Sequence, residues 1–235
     1  MITELLFRDD AYLSTCEARV LDVGADGVVL DRTPFYARGG GQPGDSGRLE
    51  TQDGRMLPVV DCTLDAARTP RLQMEASCPL AAGDPVICHI DWPRRYRHMR
   101  VHTALHLLSV LVPHPVTGGQ IGDGEGRLDF DMPEASFDKD ALSQALTALA
   151  ARDLAVTQEW ISDEEMAARP DLIKTMSVKP PTGQGRVRLI RIGDVDLQPC
   201  GGTHVASTGE IGPVAITRIE KKGRQNRRFR IALLD

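Results

Sequence analysis

The sequence has no run of about 20 apolar residues, the length a helix needs to cross a hydrocarbon core, so a helical membrane span is excluded. Its first twenty residues, MITELLFRDDAYLSTCEARV, place acids close behind a very short apolar run, which cannot serve as a secretory signal. Cysteine is sparse: Cys16, Cys62, Cys78, Cys88 and Cys200 are odd in number and widely scattered. That is not a disulfide framework, and it favours reduced thiols and the cytoplasm as the expected compartment. Positive charge is also in deficit, with 28 Lys and Arg against 33 Asp and Glu and a net charge of -5. The molecule as a whole would be repelled by a phosphate backbone, so any nucleic-acid contact must come from local patches. Two such patches exist. Arg94, Arg95, Arg97 and Arg100 form one, and Lys221, Lys222, Arg224, Arg227, Arg228 and Arg230 form the other. Either alone reads as solvated surface, but two together in an acidic protein point toward RNA. Internal repeats, low-complexity tracts and long linkers are missing too.

With 235 residues, 41% hydrophobic and 26% charged, the chain has the composition of a globular protein able to bury a core without disulfides. Residues 15 to 90 read as short β segments separated by turns such as Ala25-Asp26-Gly27 and Asp53-Gly54. The character changes at Asp91, where a boundary between residues 1–91 and 92–235 is expected. From Trp92 to Val112 the apolar spacing predicts a long helix ended by Pro113 and Pro115. A strand follows at GRLDFDM, then a helix from Asp138 as N-cap. VTQEWI and GRVRLIRI read as strands with a short helix between them, and the tail as two strands joined by a basic turn. The fold class is α+β.

On a helix, residues four apart share a face, so His102 and His106 in HTALH can present both imidazoles to one ion. Cys200 and His204 in CGGTH supply a second pair, with two glycines that let the backbone curl until the side chains converge. One thiolate and three imidazoles suit Zn2+, whereas calcium and magnesium demand oxygen. An HxxxH pair alone reads equally well as core or surface histidines, and a lone cysteine as a small hydrophobe. The combination is much harder to obtain by chance, because three of only six histidines fall in these two signatures. His98, one turn before His102, is the rival ligand and is left outside the set; His89 and His114 read as surface or turn residues. Four protein ligands are the pattern of a structural site, while a catalytic ion keeps one position open.

In TPFYARGGGQPGDSG, Gly39, Gly40 and Gly41 precede Gln42 and Asp45. On composition the run reads as a β-turn, and its alternative is a loop whose backbone amides approach a ligand. The glycine spacing is not that of a dinucleotide fingerprint. Taken together, TPFYARGGGQPGD, HTALHLL and RIGDVDLQPCGGTHVASTGEIG resemble the editing domain of alanyl-tRNA synthetase and its freestanding AlaX relatives, in the same order along most of the chain. The threonyl-tRNA synthetase editing domain shares the metal motifs, but the glycine loop is similar to the alanine type.

The resemblance implies a β-rich, barrel-like N-terminal domain whose glycine loop lies against an α/β editing core, with zinc in the cleft between them. It implies His102, His106, Cys200 and His204 as ligands, and Thr33 and Gln42 as lining of an amino-acid pocket that separates serine from alanine. The length resembles the medium-sized type acting in trans, with an excised synthetase fragment as the alternative. The implied activity is ATP-independent hydrolysis of seryl-tRNA(Ala), and of glycyl-tRNA(Ala) as a second substrate. A synthetic site cannot strongly reject such small amino acids, so a second, hydrolytic sieve is needed. The expected partner is mischarged alanine tRNA, with neither membrane nor DNA. Asp45, Arg94, Arg100, Lys221, Lys222, Arg224, Arg227 and Arg228 are the expected substrate and tRNA contacts. The amides of Gly39, Gly40 and Gly41 are expected as donors near the scissile ester. Two further readings remain: a zinc-stabilised tRNA-binding module without hydrolysis, and a zinc hydrolase of another small ester or amide.

Overall fold

Strand β2 (Thr15–Gly24) buries Ala18 and Val20 while Glu17 and Arg19 face out, the alternation of a sheet with one wet face. The same logic recurs along the N-terminal half of the computed structural model, which describes residues 3–75, 78–133, 137–174 and 185–234. A short parallel pair, β1 (Glu4–Leu5) and β4 (Arg32–Thr33), flanks β3 (Gly27–Leu30) in the sequence. Then come β5 (Gly47–Thr51), β6 (Met56–Leu64), β7 (Pro70–Met74) and β8 (Pro85–Ile90). Six strands close into an antiparallel barrel in the order β2-β3-β7-β6-β5-β8, which leaves no open edge. Val20, Leu30, Phe35, Leu49, Cys62 and Leu72 fill its interior.

Helix α1 (Trp92–Leu111) follows at once, and the Asp91 carboxylate accepts from the Arg94 amide at its start. Pro113 lies just past its end. The chain divides into compact units Met1–Tyr96 and Arg97–Asp235. That is five residues beyond the boundary expected at Asp91, because the first helical turn packs with the barrel. Tyr12, Trp92 and Tyr96 stack in series there, and Arg95 is bonded to Asp45.

The second unit is α+β. β9 (Val116–Ile121) and β10 (Glu125–Asp131) lead to α2 (Lys139–Ala150), which Asp138 caps by accepting from the amides of Asp140 and Ala141. β11 (Val156–Ser162), α3 (Asp163–Ala167), β12 (Arg186–Ile192) and β13 (Asp196–Pro199) follow, then the hairpin of β14 (Val214–Lys221) and β15 (Asn226–Leu233). Two antiparallel sheets result, β14-β15-β10-β9 and β11-β12-β13. α2 lies on β14, where the Thr147 hydroxyl donates to the Val214 carbonyl at 2.8 Å. α1 approaches β10 so closely that a Cβ at Gly126 would stand 2.7 Å from Val101, so a glycine there lets the helix seat. Among the described residues, no helix is long and apolar enough to cross a membrane.

Sequence reading missed β9 and β13. VTGGQI has two glycines and reads as loop, and it becomes a strand through pairing with β10. β13 has four residues and ends in proline, so its local signal is weak.

Candidate metal centre

Successive turns of α1 carry His102 and His106, whose ring centroids lie 5.2 Å apart. The loop leaving β13 brings in Cys200 and His204. The His204 ring sits 4.1 Å from that of His102 and 4.6 Å from that of His106. Cys200 Sγ lies 3.4 Å from His102 Nε2 and 3.3 Å from His204 Nε2. The four ligand atoms all fall within 4.8 Å of one another. Tetrahedral coordination at ordinary metal–ligand distances separates neighbouring donors by about 3.4–3.6 Å, so small rotations suffice for one ion to reach all four. Both pairs belong to the Arg97–Asp235 unit, and the cluster could hold a metal ion. His98 is buried on α1 but lies outside the group, as does exposed His114; His89 pairs with Glu50 at 2.9 Å.

Two residues that sequence reading did not single out fix the imidazoles. Thr103 Oγ1 donates to the Met99 carbonyl at 2.9 Å, so its lone pairs receive the His204 Nδ1–H at 3.1 Å. His204 therefore carries its proton on Nδ1 and turns a bare Nε2 toward Cys200. Asp196 is fully buried and lies 3.0 Å from His106 Nδ1, which orients that ring with Nε2 away from the carboxylate. Asp196 is itself held by Lys174 at 2.5 Å and Gln198 at 2.7 Å. A signal for Asp196 was present: Asp196 and Gln198 occupy the inward phase of a strand that runs directly into Cys200.

The electrostatics suit a metal. Burial opposes ionisation of the Cys200 thiol, but the neighbouring imidazoles, His102 above all, outweigh it and hold the group well below its ordinary value. Burial, reinforced by His102, holds His204 well below the usual histidine range, in the neutral form a ligand needs. Burial would lower His106 too, yet the Asp196 carboxylate and Cys200 prevail and raise it to about 9, so a metal would have to displace its second ring proton at neutral pH. Asp196 is held down to about 2: burial pushes it up, and His106, Lys174 and Gln198 more than compensate.

In the N-terminal unit, Gly39 and Gln42 exchange backbone hydrogen bonds of 3.1 and 2.9 Å around Gly40 and Gly41, whose φ values are +56° and +86°. Two consecutive residues at positive φ make a tight turn that glycine satisfies without strain. The Gly39 amide is engaged by the Gln42 carbonyl, while Gly40 and Gly41 are exposed at the tip. Thr33 and Gln42 are both buried, and Thr33 Oγ1 accepts from the Phe35 amide at 3.2 Å.

Several expected contacts with substrate and tRNA have other occupations. Asp45 is buried and bonded to Arg95 and to the Tyr36 amide, so it anchors the loop from within. The first basic patch disperses around a helix: Arg94 donates to the Gly44 carbonyl, Arg97 pairs with Asp123, and Arg100 donates to the Ile211 carbonyl. In the hairpin, Lys222 and Arg228 converge with Arg127 on Asp129, and Arg227 donates to the carbonyls of Asn226 and Pro133. Burial pushes Asp129 up, but this cationic company holds it down to about 2. Lys221 and Arg224 are exposed, and among the described residues no ion pair engages either.

Comparison with known proteins gives two family matches. Residues 187–230 match the threonyl and alanyl tRNA synthetase second additional domain, a span that contains Cys200 and His204. Residues 9–94 match the class II (A) tRNA synthetases. The chain is 36% identical to the alanyl-tRNA editing protein AlaX-M of Methanosarcina acetivorans, with 100% of both chains covered. It is 31% identical to AlaX-M of Saccharolobus solfataricus over 97% of each. A 35% identity to the alanine–tRNA ligase of Pyrococcus abyssi covers 93% of this chain and 24% of the ligase.

Proposed function

We propose, because the chain belongs to the AlaX-M family of alanyl-tRNA editing proteins, that it hydrolyses seryl-tRNA(Ala), and glycyl-tRNA(Ala) as a second substrate, in a zinc-dependent reaction. The observation that carries the zinc reading is the donor set. One low-pKa thiol and three imidazoles within 4.8 Å suit a borderline-soft tetrahedral ion, and among the described residues no carboxylate is part of that group. When bound, zinc supplies a Lewis acid that can polarise the ester carbonyl.

The chain's own residues do the remaining work. Asp196 and Thr103 hold the imidazoles of His106 and His204 in their ligating orientations, which limits reorganisation during the reaction. The ester is already activated, so the task is to position water and to steady the developing oxyanion. The exposed amides of Gly40 and Gly41 are suited to that second task. Thr33 and Gln42 are the polar groups proposed to meet the serine hydroxyl. Alanine offers no hydroxyl to these groups, forfeits about 0.5–1.5 kcal/mol for each hydrogen bond not made, and so would be spared.

The decisive experiment compares seryl, glycyl and alanyl esters on alanine tRNA, with metal content measured in parallel. Serine should be released roughly 10²-fold faster than alanine, and glycine, which also lacks the hydroxyl, more slowly than serine. Tight binding of alanine tRNA with seryl-tRNA left intact would instead identify a binding module. Hydrolysis indifferent to the acceptor stem would identify a general esterase. One observation favours a second role for the ion: four protein donors fill a tetrahedron, the pattern of a structural site.

Lys221 and Arg224, exposed on the β14–β15 hairpin, are the cations proposed to meet tRNA phosphates. Converting both to glutamate should weaken tRNA binding and reduce the slope of log affinity against log salt by about one unit per lost contact. Unchanged affinity at low salt would discard this surface. The five free thiols accord with a reducing compartment, and the cytoplasm is the proposed location.

A further inference from the structure

The loop that carries Cys200 is buried from Gly202 to Val205, but its start at Cys200 and Gly201 has little of its own to keep it in place. Gly201 is exposed, and nothing lies within 4 Å of where a Cβ would stand. Two adjacent glycines make ordering this segment costly, so its position depends on bonds from outside. His204 has Thr103. Cys200 has Arg188.

Arg188 lies on β12, the central strand of its sheet, and only 8% of it is exposed. The β12–β13 ladder pairs Ile190 with Gln198 and Leu189 with Pro199, and one step further the Cys200 amide donates to the Arg188 carbonyl at 3.1 Å. There the chain turns away into Gly201, and the Arg188 side chain takes over from the ladder. Its Nη1 donates to the Cys200 carbonyl at 3.2 Å and to the Gly202 carbonyl at 2.8 Å. Its Nε donates to Gln158 Oε1 on β11 at 2.7 Å, which fixes the guanidinium plane. A single residue thus grips Cys200 through both its amide and its carbonyl and ties down the glycine beyond it.

We infer that Arg188 is a positioning residue of the metal centre, one that presets the CGGTH loop so that the Cys200 thiolate already faces the imidazoles before the ion arrives. A planar fork with several fixed donors can serve two carbonyls and Gln158 at once, whereas a lysine offers one flexible point of attachment. The inference rests on the reading of the cluster as a zinc site.

The test uses the full chain with zinc or cobalt(II), measuring affinity by chelator competition and cobalt–thiolate charge-transfer absorption. Unfolding of the metal-free protein is followed separately. Arg188→Met should weaken metal binding by about 10–100-fold and diminish the charge-transfer band, a loss larger than the fall in metal-free stability that stranding its acceptors brings. Arg188→Lys should recover part of the affinity, and Gln158→Leu should lose a smaller part. Metal affinity within about twofold of the parent in Arg188→Met overturns the inference, and so does destabilisation of the metal-free protein large enough to account for the whole loss. If Arg188→Met fails to fold, Arg188→Lys and Gln158→Leu decide, and parental affinity in both overturns it. A parent protein that binds neither metal would sink the zinc reading itself, a result distinct from a parent that binds while its Arg188 variants bind equally well.

Discussion

Exhaustive chelation is expected to lower kcat/KM for seryl-tRNA(Ala) by about 10³-fold or more, and added zinc to restore it. Such a loss corresponds to roughly 4 kcal/mol of transition-state stabilisation, the scale on which one strong oxyanion donor operates. Alanine at His102, His106 or His204 should reproduce it, because each imidazole is one of four donors grouped within 4.8 Å. Cys200→Ala is the informative member of the series. It leaves three imidazoles, a set that can still hold zinc with one position open. If the ion serves as an anchor, this variant should keep some zinc-dependent turnover; if the thiolate is needed to hold the ion at all, it should match the histidine variants. Metal-free protein that is folded by circular dichroism and deacylates within about twofold of the parent rate would remove zinc from the mechanism.

The grouping of His102, His106, Cys200 and His204 was legible in the sequence because its chemistry is local: HTALH needs only a helix, and CGGTH only a flexible turn. The barrel was legible as β-rich from alternation and turn residues, but its closure is not a local property. Closure depends on β5 pairing with β8 and β3 with β7, contacts between distant segments that no short pattern encodes. The same limit explains the supporting residues. Thr103, Asp196 and Arg188 act through partners about 101, 90 and 12 positions away, and a threonine beside a histidine carries no mark of that role. The pairing within the basic patches was hidden for a related reason. Charge along the chain was visible, but Asp129 and Asp123, which neutralise much of it, reach it only in the folded sheet and helix.

Arg95→Met is expected to destabilise the protein by about 3–5 kcal/mol, a large fraction of the 5–15 kcal/mol typical of a domain. Arg95 is wholly buried and Asp45 nearly so. The guanidinium donates to both Asp45 oxygens, at 3.0 and 2.9 Å from Nε, and to the carbonyls of Ala11 and Pro34. Asp45 also accepts from the Tyr36 amide at 2.7 Å, and its own amide returns a bond to the Tyr36 carbonyl. Removing Arg95 therefore strands a carboxylate and the Pro34 carbonyl away from water, and stranding costs more than the pair itself contributes. Asp45→Asn should cost less, since the amide keeps an acceptor for Tyr36 and for the guanidinium. The double variant Asp45→Asn with Arg95→Met should fall short of the sum of the singles, as expected for two members of one network. Urea unfolding at unchanged m-value reports all three costs. The same bonds clamp both stems of the triglycine turn between Tyr36 and Asp45, so a folded Asp45→Asn enzyme should lose selectivity before it loses turnover. Its ratio of seryl to alanyl hydrolysis should drop while its metal content stays at the parent level. An undiminished ratio would show that the turn's seat has no part in telling serine from alanine.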